Sequence, residues 1–326
     1  MSALSGARVV VTGGAGTVGS HIVDAAIASG ARAVVALDAL VRGIPENLDP
    51  AIATGKVRLV ELDIRDREAV ATALRGADVV FHQAALRWTR CQEAPRECQG
   101  VMVEGTFNIL EAAVEAKAGR VVLASSAVVY GEPLRLPLDE EHPALGGTVY
   151  AAAKIANEQM GHAFARLHDL PVVSLRYFNV YGPRMDIRSR FIEVMIRWLD
   201  AIDRGEALTL FGDGSSSADF VFTDDVARAN ILACETDATD AIVNVCSGVE
   251  TRMRDLAALV LELTGSDVGI QFKPQPPGQL PQRRFGDPRR AADVLRFRAQ
   301  TDLREGVRRS IEWRKAALAA RPVVRS

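Results

Sequence analysis

The stretch Arg8-Val9-Val10-Val11-Thr12-Gly13-Gly14-Ala15-Gly16-Thr17-Val18-Gly19-Ser20-His21 constrains this chain more than any other. Its β-branched run, Val9 to Val11, reads as a buried parallel strand; four glycines follow, and a helical apolar pattern runs from Val18 through Ile27. A strand, a tight turn and a helix in that order bring unpaired backbone N–H groups and the positive end of a helix dipole to one point. Glycines there let an anion approach the backbone. Two overlapping patterns, Gly14-x-Gly16-x-x-Gly19 and Gly13-x-x-Gly16-x-x-Gly19, could hold a dinucleotide pyrophosphate against Gly13, Gly16, Thr17, Val18 and Gly19. A glycine-rich turn can also simply be tight, so the next strand matters.

That strand, Ala33 to Asp38, ends in a carboxylate nineteen residues beyond Gly19. An acid there accepts hydrogen bonds from both adenosine ribose hydroxyls and repels a 2′-phosphate, which selects NAD over NADP. The plainer alternative for Asp38 is a solvated acid at a strand end. Beyond it, strand and helix alternate: strands at Val57–Leu62, Asp78–His82, Arg120–Ser125 and Val172–Arg176, helices at Arg67–Leu74, Val103–Ala116 and Tyr150–His168. Strands apolar on both faces between amphipathic helices specify an α/β fold, a Rossmann-type doubly wound parallel sheet with ligands at the strand C-terminal ends. Asp63 and Ile64, Gln83 to Ala85, Ser125 and Ser126, and Asn179 gather at those ends. The small side chains of Ala84 and Ala85 suit either a ribose lying on the backbone or simple packing.

After Arg176 the pattern is less regular. A loop at Arg184–Arg190, helices at Phe191–Ile202 and Val226–Cys234, a turn at Gly212-Asp213-Gly214, and strands at Phe220–Phe222 and Ile242–Cys246 are expected. A helix near Met253–Leu263, a Pro-rich loop at Pro274–Pro281 and a final helix near Arg304–Lys315 complete the chain. We expect an NAD-binding domain over residues 1–178, with 223–247 returning to its sheet, and a smaller C-terminal α/β substrate-binding lobe mainly over 179–326. The cleft between the lobes is the expected substrate site.

With 48% hydrophobic and 25% charged residues in 326, the chain can bury a sizeable core. A net charge of −2 gives no footprint for nucleic acid or an anionic membrane, although the chain from Arg283 onward is locally basic. No run approaches the roughly 18 apolar residues of a membrane helix, and no signal-peptide layout opens the sequence, so a cytoplasmic protein is expected. Cys91, Cys98, Cys234 and Cys246 match no metal motif, and we expect reduced, structural thiols and no metal.

Tyr150 and Lys154 stand at i and i+4, one turn apart on one helix face. A free tyrosine, with a pKa near about 10, is a poor base at neutral pH; a neighbouring cation stabilises the phenolate and would let Tyr150 take a proton from a substrate hydroxyl. Ser126, 24 residues upstream at a strand end, can hydrogen-bond the reacting oxygen. The bland reading, an exposed i, i+4 pair, accounts for neither Ser126 nor the glycine loop.

From Arg8 to about Trp313 the chain resembles the extended short-chain dehydrogenase/reductases, in particular their NAD-dependent sugar-nucleotide epimerase/dehydratase branch, and within it the UDP-hexose 4-epimerases. The resemblance is carried by the glycine loop, Leu62-Asp63-Ile64-Arg65-Asp66, His82-Gln83-Ala84-Ala85, Glu104-Gly105-Thr106-Phe107-Asn108, Ser125 to Gly131, Tyr150 with Lys154, Arg176 to Arg184 and Gly212-Asp213-Gly214. It implies that Asp38 holds the adenosine ribose, that Asp63 and Ile64 contact adenine, and that Gln83, Ala84, Ala85, Ser125, Tyr177 and Asn179 adjoin the cofactor. It makes Tyr150 the base, has Lys154 bind the nicotinamide ribose and tune Tyr150, and has Ser126 bond the sugar 4-oxygen. Asn179 would hold the substrate diphosphate, and Arg87 would lie near the phosphates or be a surface arginine. A homodimer through the Val103–Ala116 and Tyr150–His168 helices is implied as well.

Dehydratases of this branch typically carry an Asp-Glu pair after the Ser/Thr, and its xylose-forming decarboxylases a Glu two residues before the Tyr. The positions after Ser126 are Ala127 and Val128, so elimination lacks an acid and base. The implied reaction is 4-epimerisation of a UDP-linked hexose through a transient 4-ketose; a 4-ketoreductase or C4 oxidoreductase on a modified sugar nucleotide, and a silent NAD-binding sensor or scaffold, are the competing readings. Two departures stand out: Ala218 replaces an arginine that binds the diphosphate in many relatives, and Met102 replaces a common asparagine. Arg284, in Arg284-Phe285-Gly286-Asp287, is expected to supply the missing charge, with Arg190 as a helper.

Overall fold

A computed structural model describes residues 3–188, 193–275 and 282–320. The chain begins β1 (Arg8–Thr12), α1 (Thr17–Ala28), β2 (Ala33–Asp38), α2 (Asp49–Ile52), β3 (Val57–Glu61), α3 (Arg67–Leu74) and β4 (Val79–His82). Two short helices, α4 (Trp88–Glu93) and α5 (Pro95–Cys98), and a π-helical turn (Gln99–Glu104) lead into α6 (Gly105–Glu115). Then follow β5 (Arg120–Ser126), α7 (Val149–His168), β6 (Val172–Tyr177), β7 (Asn179–Tyr181), α8 (Val194–Asp203), β8 (Leu208–Phe211), β9 (Ser217–Phe222), α9 (Thr223–Glu235) and β10 (Asp240–Val245). The rest comprises β11 (Glu250–Arg252), α10 (Met253–Thr264), β12 (Ile270–Lys273), β13 (Arg283–Arg284), α11 (Arg289–Leu295) and α12 (Leu303–Ala319).

Seven strands form one parallel sheet in the order β10-β6-β5-β4-β1-β2-β3, so that β10 crosses back to pair with β6 from Asp240↔Val172 to Val245↔Tyr177. The run at Val9–Val11 is apolar throughout because both faces are covered. Val9 and Val11 face one core, with Ile22 of α1 and Val226 of α9, whereas Val10 faces the other, with Ile109 of α6 and Phe164 of α7. The chain reverses order between β1 and β4, and the glycine loop lies at that switch point.

Beyond β6, β9 pairs with β7, β11 and β13, while β8 pairs with β12. A separate core of Tyr181, Ile196, Trp198, Leu199, Phe222, Leu256 and Ile311 packs these strands against α8, α10 and α12. Short strands at β8 and β11 to β13, and the helix α11, carry too little periodicity to be read from sequence.

One expectation is corrected. Cys91 and Cys98 are joined by a disulfide, with Cα atoms 4.9 Å apart, whereas Cys234 and Cys246 are buried free thiols. The break between α4 and α5 at Ala94-Pro95 folds the two cysteines onto each other, which no spacing rule discloses. Among the described residues no cluster of His, Cys, Asp or Glu could hold a metal, and no helix is long and apolar enough to cross a membrane.

Candidate active site

The glycine loop is tight because nothing larger fits. Gly13 has φ +65°, and a Cβ on it would lie 2.8 Å from the Ala84 nitrogen. A Cβ on Gly19 would fall onto the Gly13 carbonyl oxygen, well inside van der Waals contact. The first turn of α1 carries no acid and its N-cap, Gly16, makes no side-chain capping bond. Its backbone donors therefore stay free for an anion.

Asp38, at the end of β2, accepts from the Ala15 and Leu40 nitrogens at 3.0 and 2.9 Å, which fixes its carboxylate at the rim of the loop. Burial pushes its pKa up, and the two backbone bonds pull against that. Asp63 is clamped by Arg65 and held below the usual carboxylate range, while the Ile64 carbonyl accepts from the Asn108 amide at 3.0 Å. His82 bridges Thr12 and Thr106 at 2.7 and 2.9 Å. Burial drops its pKa to about 3, so the ring is neutral. Thr12 Oγ1 already accepts from the Gln83 and Ala84 nitrogens and so donates to Nδ1, which leaves Nε2 as the donor to Thr106. This chain of bonds sets the backbone of Gln83 to Ala85 against the loop.

These residues line a cleft of about 550 Å³ that includes Gly13, Gly16 to Gly19, Asp38, Asp63, Ile64, Gln83 to Ala85 and Arg87. Loop geometry, free helix donors and the carboxylate of Asp38 at the rim together fit a dinucleotide. Tyr177 stands behind the cleft, its phenol hydrogen-bonded to Gln83 and Asn230, and Asn179 opens β7 in an exposed position off the cleft wall. Arg190 lies outside the described residues.

Leu86 of the cleft lining and Tyr150 pack on one small core of Cys91, Cys98, Met102 and Ala153, which brings α7 close to the cleft, although Ser126, Tyr150 and Lys154 are not themselves among its lining residues. Met102, buried where an asparagine is common, accepts the Leu86 N–H at its sulfur, 3.2 Å away. Thr148 caps α7 by accepting from Ala151 N at 3.1 Å, and this places Tyr150 in the first turn. Lys154, on the next turn, lies 5.8 Å from the Tyr150 ring centroid and donates to the Ala124 carbonyl at 2.5 Å. Ser126, at the end of β5, stands close enough to the Tyr150 phenol to pull its pKa down.

The electrostatics differ from expectation in one respect. Burial raises the Tyr150 pKa, and the opposing pulls come from Ser126 and then the Arg87 guanidinium. Lys154 reaches past the ring to Ala124, and burial lowers its own pKa to about 8, with Glu158 opposing that drop. A phenol so buried holds its proton until substrate and cofactor change its surroundings.

Arg87 is ion-paired with Glu193 and its pKa falls to about 10 through burial. Arg284 lies on β13 in register with Ala218 of β9, donates to the Gly131 carbonyl at 2.9 Å, and has its Nε buried without a partner. Arg284 thus stands one strand over from Ala218.

Several cleft residues have no local signature. Arg42 bonds Asp186 through Nε at 3.1 Å, the Thr17 hydroxyl donates to the Arg184 carbonyl at 2.8 Å, and Asn47 donates to the Ala15 carbonyl at 3.0 Å. The loop following Asp38 gives a local signal for Arg42, but none for its partner 144 residues away.

Fold and cleft define a dinucleotide-binding α/β protein with a Ser/Tyr/Lys set beside the groove. The family model described as the NAD dependent epimerase/dehydratase family matches residues 9–246, and the chain belongs to that family. Its cofactor is NAD. A UDP-glucose 4-epimerase of Mycolicibacterium smegmatis is 36% identical over 309 residues, which cover 94% of this chain and 98% of the relative. A UDP-N-acetylglucosamine 4-epimerase of Methanobrevibacter ruminantium, solved with UDP-N-acetylmuramic acid, superposes with a TM-score of 0.90 at 31% identity, over 96% of this chain and 99% of that one. A Thermus thermophilus UDP-glucose 4-epimerase solved with NAD gives 0.83 at 32%, over 95% and 99%. Other matches are named as decarboxylases and dehydratases.

Proposed function

We propose that the protein inverts C4 of a UDP-linked hexose of the glucose/galactose type through a transient 4-ketose. The observation that carries this reading is the grouping of Ser126, Tyr150 and Lys154, with Tyr150 packed on the same core as Leu86 of the cleft lining, together with Ala127 and Val128 immediately after Ser126, where neither side chain can transfer a proton. NAD, when bound, would supply a reversible acceptor for the C4 hydride. Tyr150 removes the proton from the 4-hydroxyl and later returns it. Ser126 holds the 4-oxygen, and Lys154 gives the phenolate a nearby positive charge. Asp38 and the helix donors of α1 orient the cofactor.

Arg284 is read as the anchor of the substrate diphosphate, supported by its unpartnered buried Nε. Arg284→Ala is expected to raise KM for the nucleotide sugar about 10- to 100-fold, the loss of a charged hydrogen bond, with kcat changed far less. Steady-state kinetics decides; an unchanged KM removes Arg284 from the diphosphate site.

We also read α6 and α7 as a self-association face, supported by exposed Phe107 and Leu167 on those helices. Phe107→Glu should then convert a dimer to a monomer in light scattering, and a wild-type monomer would refute the reading. The reaction itself is tested by incubating the protein with UDP-glucose, UDP-N-acetylglucosamine and UDP-glucuronate and reading C4 by NMR. Inversion without loss of water or carbon is expected; loss of either, or a net redox change, overturns the proposal.

A further inference from the structure

Tyr150, Lys154 and Glu158 stand at i, i+4 and i+8 along α7, and so share one face directed at β5 and β6. Lys154 and Glu158 are each 3% exposed. Glu158 accepts from the Ser125 hydroxyl at 2.5 Å and from Arg176 Nε and an Arg176 terminal nitrogen at 2.8 Å each. Arg176 in turn lies over the Tyr130 ring, 4.7 Å from its centroid, and the Tyr130 hydroxyl donates to Asn244 at 2.6 Å. A buried carboxylate could be satisfied by Arg176 alone. It is instead held from two strands, directly below the lysine that the mechanism requires as a cation.

We propose that Glu158 is a positioning residue of the active site, whose fixed negative charge one turn from Lys154 keeps that side chain an ammonium in an otherwise dry environment. The inference rests on the reading of Tyr150 and Lys154 given under Proposed function. Groups facing Lys154 from the surrounding elements are few. Tyr150 lies above it and Glu158 below it on α7, and neutral His82 faces it from β4. Arg176 on β6 and Tyr130 after β5 lie on the far side of Glu158, and Arg87 faces the phenol end. From α4 and α5 come Cys91 and Cys98, bonded to each other and without charge. Glu158 is therefore the anion that offsets the desolvation of Lys154.

The sign follows directly. Removing a negative charge disfavours the protonated amine, so Lys154 loses its proton at lower pH and the alkaline limb of activity moves down. The test uses the NAD-loaded protein with 13Cε-labelled lysine; the sequence has five lysines, and Lys154→Arg identifies the Lys154 resonance. In Glu158→Gln the Lys154 titration is expected to fall by about one pH unit, with the alkaline limb of kcat/KM falling in parallel, and Glu158→Asp should largely restore both. Since Glu158→Gln leaves Arg176 buried without a counter-charge, the neutral double variant Glu158→Gln/Arg176→Gln provides a second measurement, in which loss of the guanidinium opposes loss of the nearer carboxylate and the fall is expected to be smaller than in Glu158→Gln. A Lys154 titration that stays at its wild-type position in the folded variants overturns the proposal. If the wild-type protein inverts no sugar nucleotide, the functional reading fails, and the Lys154 titration still decides the role of Glu158.

Discussion

Tyr150→Phe is expected to lower kcat by about 10²- to 10⁴-fold while leaving NAD binding and melting temperature near wild type. The substitution removes one oxygen, whose neighbours Ser126 and Arg87 pull the phenol pKa down. The ring stays packed on the Cys91, Cys98, Met102 and Ala153 core, so the fold keeps its contacts. On the proposed role of that group in proton transfer, the fall should appear in kcat and kcat/KM alike. Turnover above a tenth of wild type, with bound NAD confirmed by absorbance, would assign the base to another residue.

Gly19→Ala is expected to abolish NAD retention and lower the melting temperature by several degrees. The new methyl group would occupy the space of the Gly13 carbonyl, and both neighbours are backbone, which cannot swing aside as a side-chain tip could. Overpacking of this kind typically costs about 1–3 kcal/mol, and here the loop that must shift is the one that meets the pyrophosphate. Gly55→Ala, at a turn where a Cβ meets nothing within 4 Å, is the control for glycine loss as such. Its positive φ makes some loss of stability expected there too, without loss of cofactor. Cofactor occupancy after gel filtration separates the two, and a Gly19→Ala protein that keeps its NAD would show the loop to be more yielding than its packing implies.

What could be read in the chain beforehand was what local periodicity and spacing encode. Val9 to Val11, the glycine loop and Asp38 announced the first half of the sheet because a strand, a turn and a helix succeed one another within thirty-one residues, from Arg8 to Asp38. Tyr150 and Lys154 were legible because a helix brings i and i+4 together whatever else happens. The ion pairs of Arg42 with Asp186 and Arg87 with Glu193 were not, since each joins loops distant in sequence whose meeting depends on the whole fold. The same holds for the register that sets Arg284 beside Ala218, and for the Cys91–Cys98 bond, which depends on a helix break of one residue. The balance of influences on Tyr150 is not legible in spacing for a related reason. Spacing gives the nearness of a cation, but only the packed structure shows that burial of the phenol outweighs it.

The return of β10 to the edge of β6 also means that this chain cannot be cut in two. A fragment ending near residue 178 would leave β6, buried along its whole length in the intact protein, with a bare row of peptide groups at its margin. Such margins recruit other chains, so truncated forms would be prone to aggregate. Whatever binds the later strands is therefore joined to the nucleotide side through the sheet itself.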